Sequence, residues 1–206
     1  MDKTMPRSLE TEVKFYLQDA ESIRERILAM GATPKGKHLE INVCFEDRAK
    51  TLKATDRLLR LRKADRITLT FKMPPAIRDE AVKTYQEWEI ELDDDKACQA
   101  ILGHLGFQPE QRYEKQRETF VLQSAMLLID TTPYGTFLEI EGKKSDIVDI
   151  ARRLDLRWEH RIIHNYLAIF EILRRKEGLK FRDMTFANFE KRPVDVKKYL
   201  PLLYAS

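Results

Sequence analysis

Acidic side chains recur two apart in this sequence, and basic ones do the same. Glu10 and Glu12 stand in LETEVKFYL with Lys14 two residues on, Glu87, Glu89 and Glu91 in QEWEIEL, and Glu139 with Glu141 in TFLEIEG. Arg60 and Arg62 stand in LLRLRK, and Lys115 and Arg117 in YEKQRETF. In an extended chain residues two apart share a face, so each group is a same-sign row along one side of a strand. Like charges held close are destabilising, and a merely solvated face would mix signs to gain cross-strand pairs. These rows therefore call for a counter-charge. Hard divalent cations such as Mg²⁺ or Mn²⁺ take oxygen ligands and would satisfy the acids, while phosphate oxygens would satisfy the bases. A metal-bound polyphosphate would neutralise both at once.

The elements that carry these rows alternate with period two. Strands are expected at Leu9–Leu17, His38–Asp47, LLRLRK, RITLTFK and QEWEIEL, then at Tyr113–Leu122, Met126–Thr131 and Phe137–Lys143. In the second, Leu39, Ile41, Val43 and Phe45 oppose Glu40, Asn42, Cys44 and Glu46. That is about eight strands, more than a small sheet carries. Helices fall between them: Asp19–Met30 with Asp19 as N-cap, Asp95–Leu105 before Gly106, a helix capped by Ser145 and running to about Leu154, and Ile162–Glu177 before Gly178. If the strands close into a barrel, their apolar faces pack on the helices outside and the charged faces line a polar tunnel.

Composition narrows the partners. A chain of 206 residues with 43% hydrophobic and 34% charged residues reads as soluble and globular. Its 37 Lys+Arg against 34 Asp+Glu leave only +3, which speaks against a nucleic-acid partner. Cys44 and Cys98 form no CxxC pair, which argues against a disulfide framework or a cysteine metal site. The polar start MDKTMPRSLE lacks a signal-peptide core and no run reaches membrane-spanning length, so the expected location is the cytoplasm, away from membranes. With no repeat and no Gly/Ser linker, the expected division is one domain over 1–177 and a C-terminal extension over 178–206. The extension's aromatics Phe181, Phe186, Phe189, Tyr199 and Tyr204 are too many for a free tail. It is expected to pack on the barrel's outer wall, with a tunnel mouth or a second subunit of a homodimer as the other surfaces.

In order along Leu9–Phe170, ExExK (Glu10-Thr11-Glu12-Val13-Lys14), LLRLRK, LTFK, EWEIEL, YEKQRETF, LLID and TFLEIEG resemble the CYTH superfamily, the triphosphate tunnel metalloenzymes. The resemblance implies an α+β fold, a closed eight-stranded antiparallel β-barrel with helices packed outside. It implies a triphosphate-bearing small molecule as substrate and Mg²⁺ or Mn²⁺ as cofactor. It places Glu10, Glu12, Glu139 and Glu141 around the metal, with Asp130, Glu89 and Glu91 as further members. It places Lys14, Arg60, Arg62, Lys72, Lys115 and Arg117 on the triphosphate, with Arg78 reaching for the tunnel mouth. Glu10, Glu12, Lys14, Glu139 and Glu141 form its catalytic set. The segment INVCFED departs from relatives, which often carry Tyr-Phe where this chain has Cys44-Phe45.

Two reactions use such a site. One is hydrolysis of inorganic tripolyphosphate, thiamine triphosphate or a nucleoside triphosphate by in-line attack of water. The other is a class IV adenylate cyclase, in which the ribose 3'-hydroxyl attacks and ATP gives cyclic AMP and pyrophosphate. A non-catalytic polyphosphate or nucleotide binder would need the bases more than the acid pairs. No GxxxxGK[ST] loop occurs, so the phosphate site is not a P-loop. His160 and His164 stand four apart but HRIIH lacks the glutamate of HExxH, and Trp88 and Trp158 are expected in the core or in helix docking.

Overall fold

The computed structural model describes residues 8–77 and 79–205; Arg78 lies outside the described residues. The eight strands are β1 (Ser8–Tyr16), β2 (Thr33–Glu46), β3 (Leu58–Lys63), β4 (Ile67–Met73), β5 (Lys83–Leu92), β6 (Gln108–Leu122), β7 (Ala125–Thr132) and β8 (Gly135–Glu141). They form a closed barrel in the order β1-β5-β4-β3-β2-β6-β7-β8, with every neighbouring pair antiparallel. β1 closes the ring. Its Glu12 lies opposite Lys83 of β5 on one side and opposite Glu141 of β8 on the other, so the register alone brings two acids and a base together.

Among the described residues the α-helices are α1 (Ala20–Ala29), α2 (Thr51–Ala54), α3 (Asp95–His104), α4 (Lys144–Arg153), α5 (Tyr166–Glu177) and α6 (Phe186–Lys191). Asp19 caps α1, accepting from the Ser22 N–H at 3.0 Å. The cap of α3 is Asp94, one residue before the expected start, because its carboxylate accepts from both the Lys96 and Ala97 N–H groups. Ser145 does not cap α4, which already begins at Lys144. The largest shift is at α5. Ile162, expected to begin the helix, instead exchanges backbone hydrogen bonds of 2.9 and 2.8 Å with Lys14, and Asn165 caps a helix that starts at Tyr166. Gly178 then ends it at φ +63°, a left-handed conformation that costs glycine little.

The barrel wall has two outer cores and one plugged end. Val13 and Phe15 of β1, Phe120 of β6, Leu127 of β7 and Leu138 and Ile140 of β8 point outward against Ile23 and Ile27 of α1 and Ile147 and Ile150 of α4. Phe45, Leu59 and Leu61 pack likewise against Leu52 of α2 and Cys98 and Leu102 of α3. Each such aliphatic side chain, once fully buried, contributes about 1.5–3 kcal/mol. A third cluster joins Ile169, Phe170 and Leu173 of α5 with Met184, Phe189 of α6, Val196 and Leu203 from the tail. Its strand members, Cys44, Tyr113 and Phe137, lie on the tunnel-facing side by the strand alternation. The tail therefore backs α5 at one end of the barrel and does not lie along the outer wall, because the inward aromatics leave an apolar surface at that end. At the β7–β8 turn, a Cβ on Gly135 would stand 2.9 Å from Val196 and 3.1 Å from Tyr16, so glycine is what lets the tail approach. Among the described residues no helix is long and apolar enough to cross a membrane.

Candidate active site in the barrel tunnel

The inward faces enclose a cavity of about 860 Å³ that runs from Ser124 and Met126 near one end of the barrel to Lys53, Asp56 and Arg175 near the other. Glu10, Glu12, Lys14, Arg60, Arg62, Lys72, Glu89, Lys115, Arg117, Glu139 and Glu141 all line it. Alternation places them there: β1 offers residues 10, 12 and 14, β8 offers 139 and 141, and β6 offers 115 and 117. Glu10, Glu12 and Glu141 each bring a carboxylate oxygen to within 4.8 Å of the others. An all-oxygen set of this kind suits a hard divalent cation, so the residues present fit the metal that the family resemblance implies.

Three lysines attend this trio. Lys14, fully buried, donates to Glu12 at 2.6 Å and pairs with Glu139 at 3.0 Å. Lys83 donates to the same Glu12 oxygen at 2.7 Å. Lys72 donates to Glu10 and pairs with Glu87 at 3.1 Å. Burial alone would raise the Glu10 pKa, but the Lys72 ammonium outweighs it and holds the carboxyl down at about 2. Burial likewise works against charge on Lys14 and Lys72, and their carboxylate partners hold both ammoniums above the usual lysine range.

The remaining bases form a row along the cavity, with Arg60 and Lys115 buried and Arg62 and Arg117 partly buried. Arg60 donates to Tyr113 Oη at 3.1 Å and to Thr70 at 3.3 Å; Arg62 makes two bonds of 3.1 Å to Glu89. Lys115 and Arg117 both donate to Asp130, which is 0% exposed and also accepts from Tyr166 Oη at 2.9 Å. The Lys14 and Lys115 ammoniums stand 5.3 and 5.0 Å from the Tyr166 ring centre, a cation–π seat at the start of α5.

Four acids expected at the metal lie outside this trio, Glu139 among them through its ion pairs with Lys14 at 3.0 Å and Arg117 at 3.2 Å. Asp130 does not join the carboxylate trio, because two cations and a phenol already use its oxygens. Glu91 does not line the cavity: still paired with Thr68 of β4, it is exposed and pairs with Arg66 at 2.9 Å. Glu89 lines the cavity but is engaged with Arg62 and Thr70, not with the trio. Two residues earlier in the same row, Glu87 of β5 lines the cavity and pairs with Lys72. Its pKa is raised, by burial first and then by Glu10 across the shared Lys72. Glu40 went unassigned although its alternation with Asn42 and Cys44 put it on the inward face. It is almost fully buried 3.5 Å from Lys115 and 3.6 Å from Arg62, and these cations overcome burial to keep it well below the carboxylate range. Lys83 escaped because β5 starts three residues before its alternating stretch. Cys44 does face inward, where burial pushes its thiol up to about 12 and leaves it unreactive. His160 and His164 share no helix face: His160 stacks on Tyr204 at 4.5 Å, whereas His164 lines the cavity.

The carboxyls of Glu139 and Glu141 are shifted in opposite directions. Burial, together with the Glu139 charge, pushes Glu141 well above the usual range, while Lys14, Arg117 and Lys115 outweigh burial and hold Glu139 well below it. An unfolded chain ionises this carboxyl from about pH 4.5 upward, where the folded protein still holds the proton. The contribution of Glu141 to stability is therefore greatest below that pH and falls as pH rises towards its folded pKa. In EDTA, Glu141→Gln should raise the melting temperature at pH 8 and change it little at pH 4, as followed by thermal unfolding. Equal shifts at both pH values would show that the carboxyl is not held neutral.

The CYTH domain family matches residues 8–182. The chain is 26% identical to “Putative adenylate cyclase MJ0240” of Methanocaldococcus jannaschii over 173 residues, 78% of this chain and 98% of that protein. Among solved structures, PH1012 protein from Pyrococcus horikoshii OT3 aligns with a TM-score of 0.65 and 27% identity, covering 76% of this chain and 96% of its own. A Hippeastrum protein that carries an adenylyl cyclase name, and is described as showing a dominant triphosphatase activity, shares the fold at 18% identity and a TM-score of 0.58, over 79% of this chain and 95% of its own. With the closed barrel, its charged interior and a family match over most of the sequence in agreement, the chain belongs to the CYTH domain family.

Proposed function

We propose that this protein is a divalent-metal-dependent hydrolase of a triphosphate. The observation that supports the reading best is that one cavity is shared by a converging carboxylate trio and a row of buried and partly buried cations. A polyphosphate chain has anionic oxygens along its whole length, and Arg60 of β3 and Lys115 and Arg117 of β6, on either side of β2, are spaced to meet several of them. These cations are fixed in advance by Tyr113, Thr70 and Asp130, so they stabilise developing charge without reorganising. Glu10, Glu12 and Glu141 would hold a divalent cation, which when bound would supply Lewis-acid polarisation of phosphoryl oxygens and a more acidic water. His164 stands on the cavity wall, its pKa lowered by burial and by the Lys83 and Lys14 charges.

Hydrolysis comes first because water needs no pocket for a nucleoside. We place inorganic tripolyphosphate ahead of ATP as substrate, with Mg²⁺ or Mn²⁺ as the cation. Adenylate cyclase is the second reading. It is favoured by the apolar wall that Leu58, Leu167 and Ile172 add to the cavity beyond the charged row, which gives space for an organic substituent, and by the name of the M. jannaschii relative. A non-catalytic binder has no use for the carboxylate trio. Chromatographic product analysis with tripolyphosphate, thiamine triphosphate and ATP separates these readings. The expected result is orthophosphate release, fastest from tripolyphosphate. Cyclic AMP and pyrophosphate from ATP, with tripolyphosphate left intact, would reverse the order.

A further inference from the structure

The three lysines at the carboxylate trio differ in what they would keep if the trio took a divalent cation. Lys14 pairs with Glu12 but also with Glu139, and Lys72 pairs with Glu10 but also with Glu87. Each could release its trio carboxylate and retain a second one. Lys83 has no such reserve. Among the described residues its one carboxylate partner is Glu12, its side chain is only 17% exposed, and the Tyr85 ring lies 5.0 Å from the ammonium. The Glu12 oxygen it uses is also the one that Lys14 uses, so two ammoniums stand where a cation would approach. Opposite Lys83 in the ladder lies Glu12 itself, which ties the pair by backbone register as well as by charge.

A cation that claimed Glu12 would strand the Lys83 ammonium against a neighbouring positive charge in a largely desolvated site, which is strongly unfavourable. A triphosphate removes that penalty, because it brings fresh anionic oxygens into the same cavity. Resting on the triphosphate reading above, we propose that Lys83 is a positioning residue that holds Glu12 until a divalent cation and a triphosphate arrive together, then passes to a phosphate oxygen. The exchange makes the binding of each ligand strengthen the other. By linkage the coupling is the same seen from either side. Lys83 thereby disfavours a tunnel loaded with metal alone.

The test is calorimetric titration of Mn²⁺ into the full-length wild type and the Lys83→Met, Lys83→Gln and Lys83→Arg variants, with free Mn²⁺ followed independently by its electron paramagnetic resonance signal. Without any phosphate, Lys83→Met and Lys83→Gln should bind Mn²⁺ about 10-fold more tightly than wild type, a mid-range coupling. Lys83→Arg, which keeps the charge, should stay close to wild type. At saturating Mn²⁺ the two neutral variants should bind tripolyphosphate about 10-fold more weakly. A purely structural lysine would not improve metal affinity when removed. If Mn²⁺ affinity without phosphate is unchanged in the neutral variants while wild type binds tripolyphosphate, this proposal is overturned and the triphosphate reading stands. If no variant, wild type included, binds tripolyphosphate with Mn²⁺ present, both are overturned.

Discussion

Glu10→Gln should reduce metal-dependent turnover by about 100- to 1000-fold, the scale on which a single charge-stabilising group acts in a preorganised site. The carboxylate belongs to the trio whose oxygens lie within 4.8 Å of one another, and an amide is a much poorer ligand for a hard cation. The fold should survive. Lys72 keeps Glu87 as its ion-pair partner at 3.1 Å when Glu10 loses its charge, so no buried ammonium is left alone. Steady-state rates at saturating Mg²⁺ and Mn²⁺, with circular dichroism to verify folding, check the expectation. A folded Glu10→Gln protein with wild-type rates, or full wild-type activity in EDTA, would remove the trio from the reaction.

Asp130→Ala should act in the opposite manner, through stability. Asp130 is completely buried and accepts from Lys115, Arg117 and Tyr166. Removing one member of a buried charged network leaves its cations uncompensated, which costs about 3–5 kcal/mol. For a chain of this size that is a fall in melting temperature on the order of 10 °C. Glu91→Ala, the other acid expected at the metal but found paired with Arg66 in solvent, should stay within about 0.5 kcal/mol of wild type. Thermal unfolding of both variants separates a structural acid from a rim acid. Similar small shifts for the two would mean that the Asp130 network does not hold the barrel together.

The strands were legible because the barrel's interior is charged and its exterior apolar, so period two appears in residue type as well as in burial. The pattern failed where the wall leaves the cores. β2 begins at Thr33 and β6 at Gln108, and those first residues, TPKGK and QPEQR, are mostly exposed and carry prolines and a glycine in place of alternation. There the cross-strand backbone ladder, not side-chain burial, keeps the chain extended. Ile162 to Asn165 differ for another reason: apolar spacing continuous with α5 suggests more helix, but the β1 edge left open before β5 begins at Lys83 offers the Lys14 backbone as a partner. Helical propensity loses to an unpaired strand edge.

Within the site, same-face rows identified which strands carry charge but not how far along each row the cavity extends. Glu87, Glu89 and Glu91 are equivalent in sequence pattern, and only strand tilt decides that the first meets Lys72 while the last meets solvent. The family resemblance put Asp130 beside the metal; its three donors in this structure come from β6 and α5, whose contact with β7 no local pattern encodes. Lys83 carries no alternation signal at all, since it sits at the first residue of its strand.

The claim on which the account rests is that the cation row binds a triphosphate. Calorimetric titration of tripolyphosphate into the protein in Mg²⁺ tests it most directly, with Arg62→Ala, Lys72→Ala and Lys198→Ala beside wild type. Arg62 and Lys72 line the cavity, and losing a charged hydrogen bond there costs about 1.5–3 kcal/mol. Affinity should therefore fall roughly 10- to 100-fold in each, from one bound tripolyphosphate per chain in wild type. Lys198 is exposed in the tail and its loss should change affinity by less than about 2-fold. Absence of binding to wild type, or equal small effects at all three positions, would contradict the account.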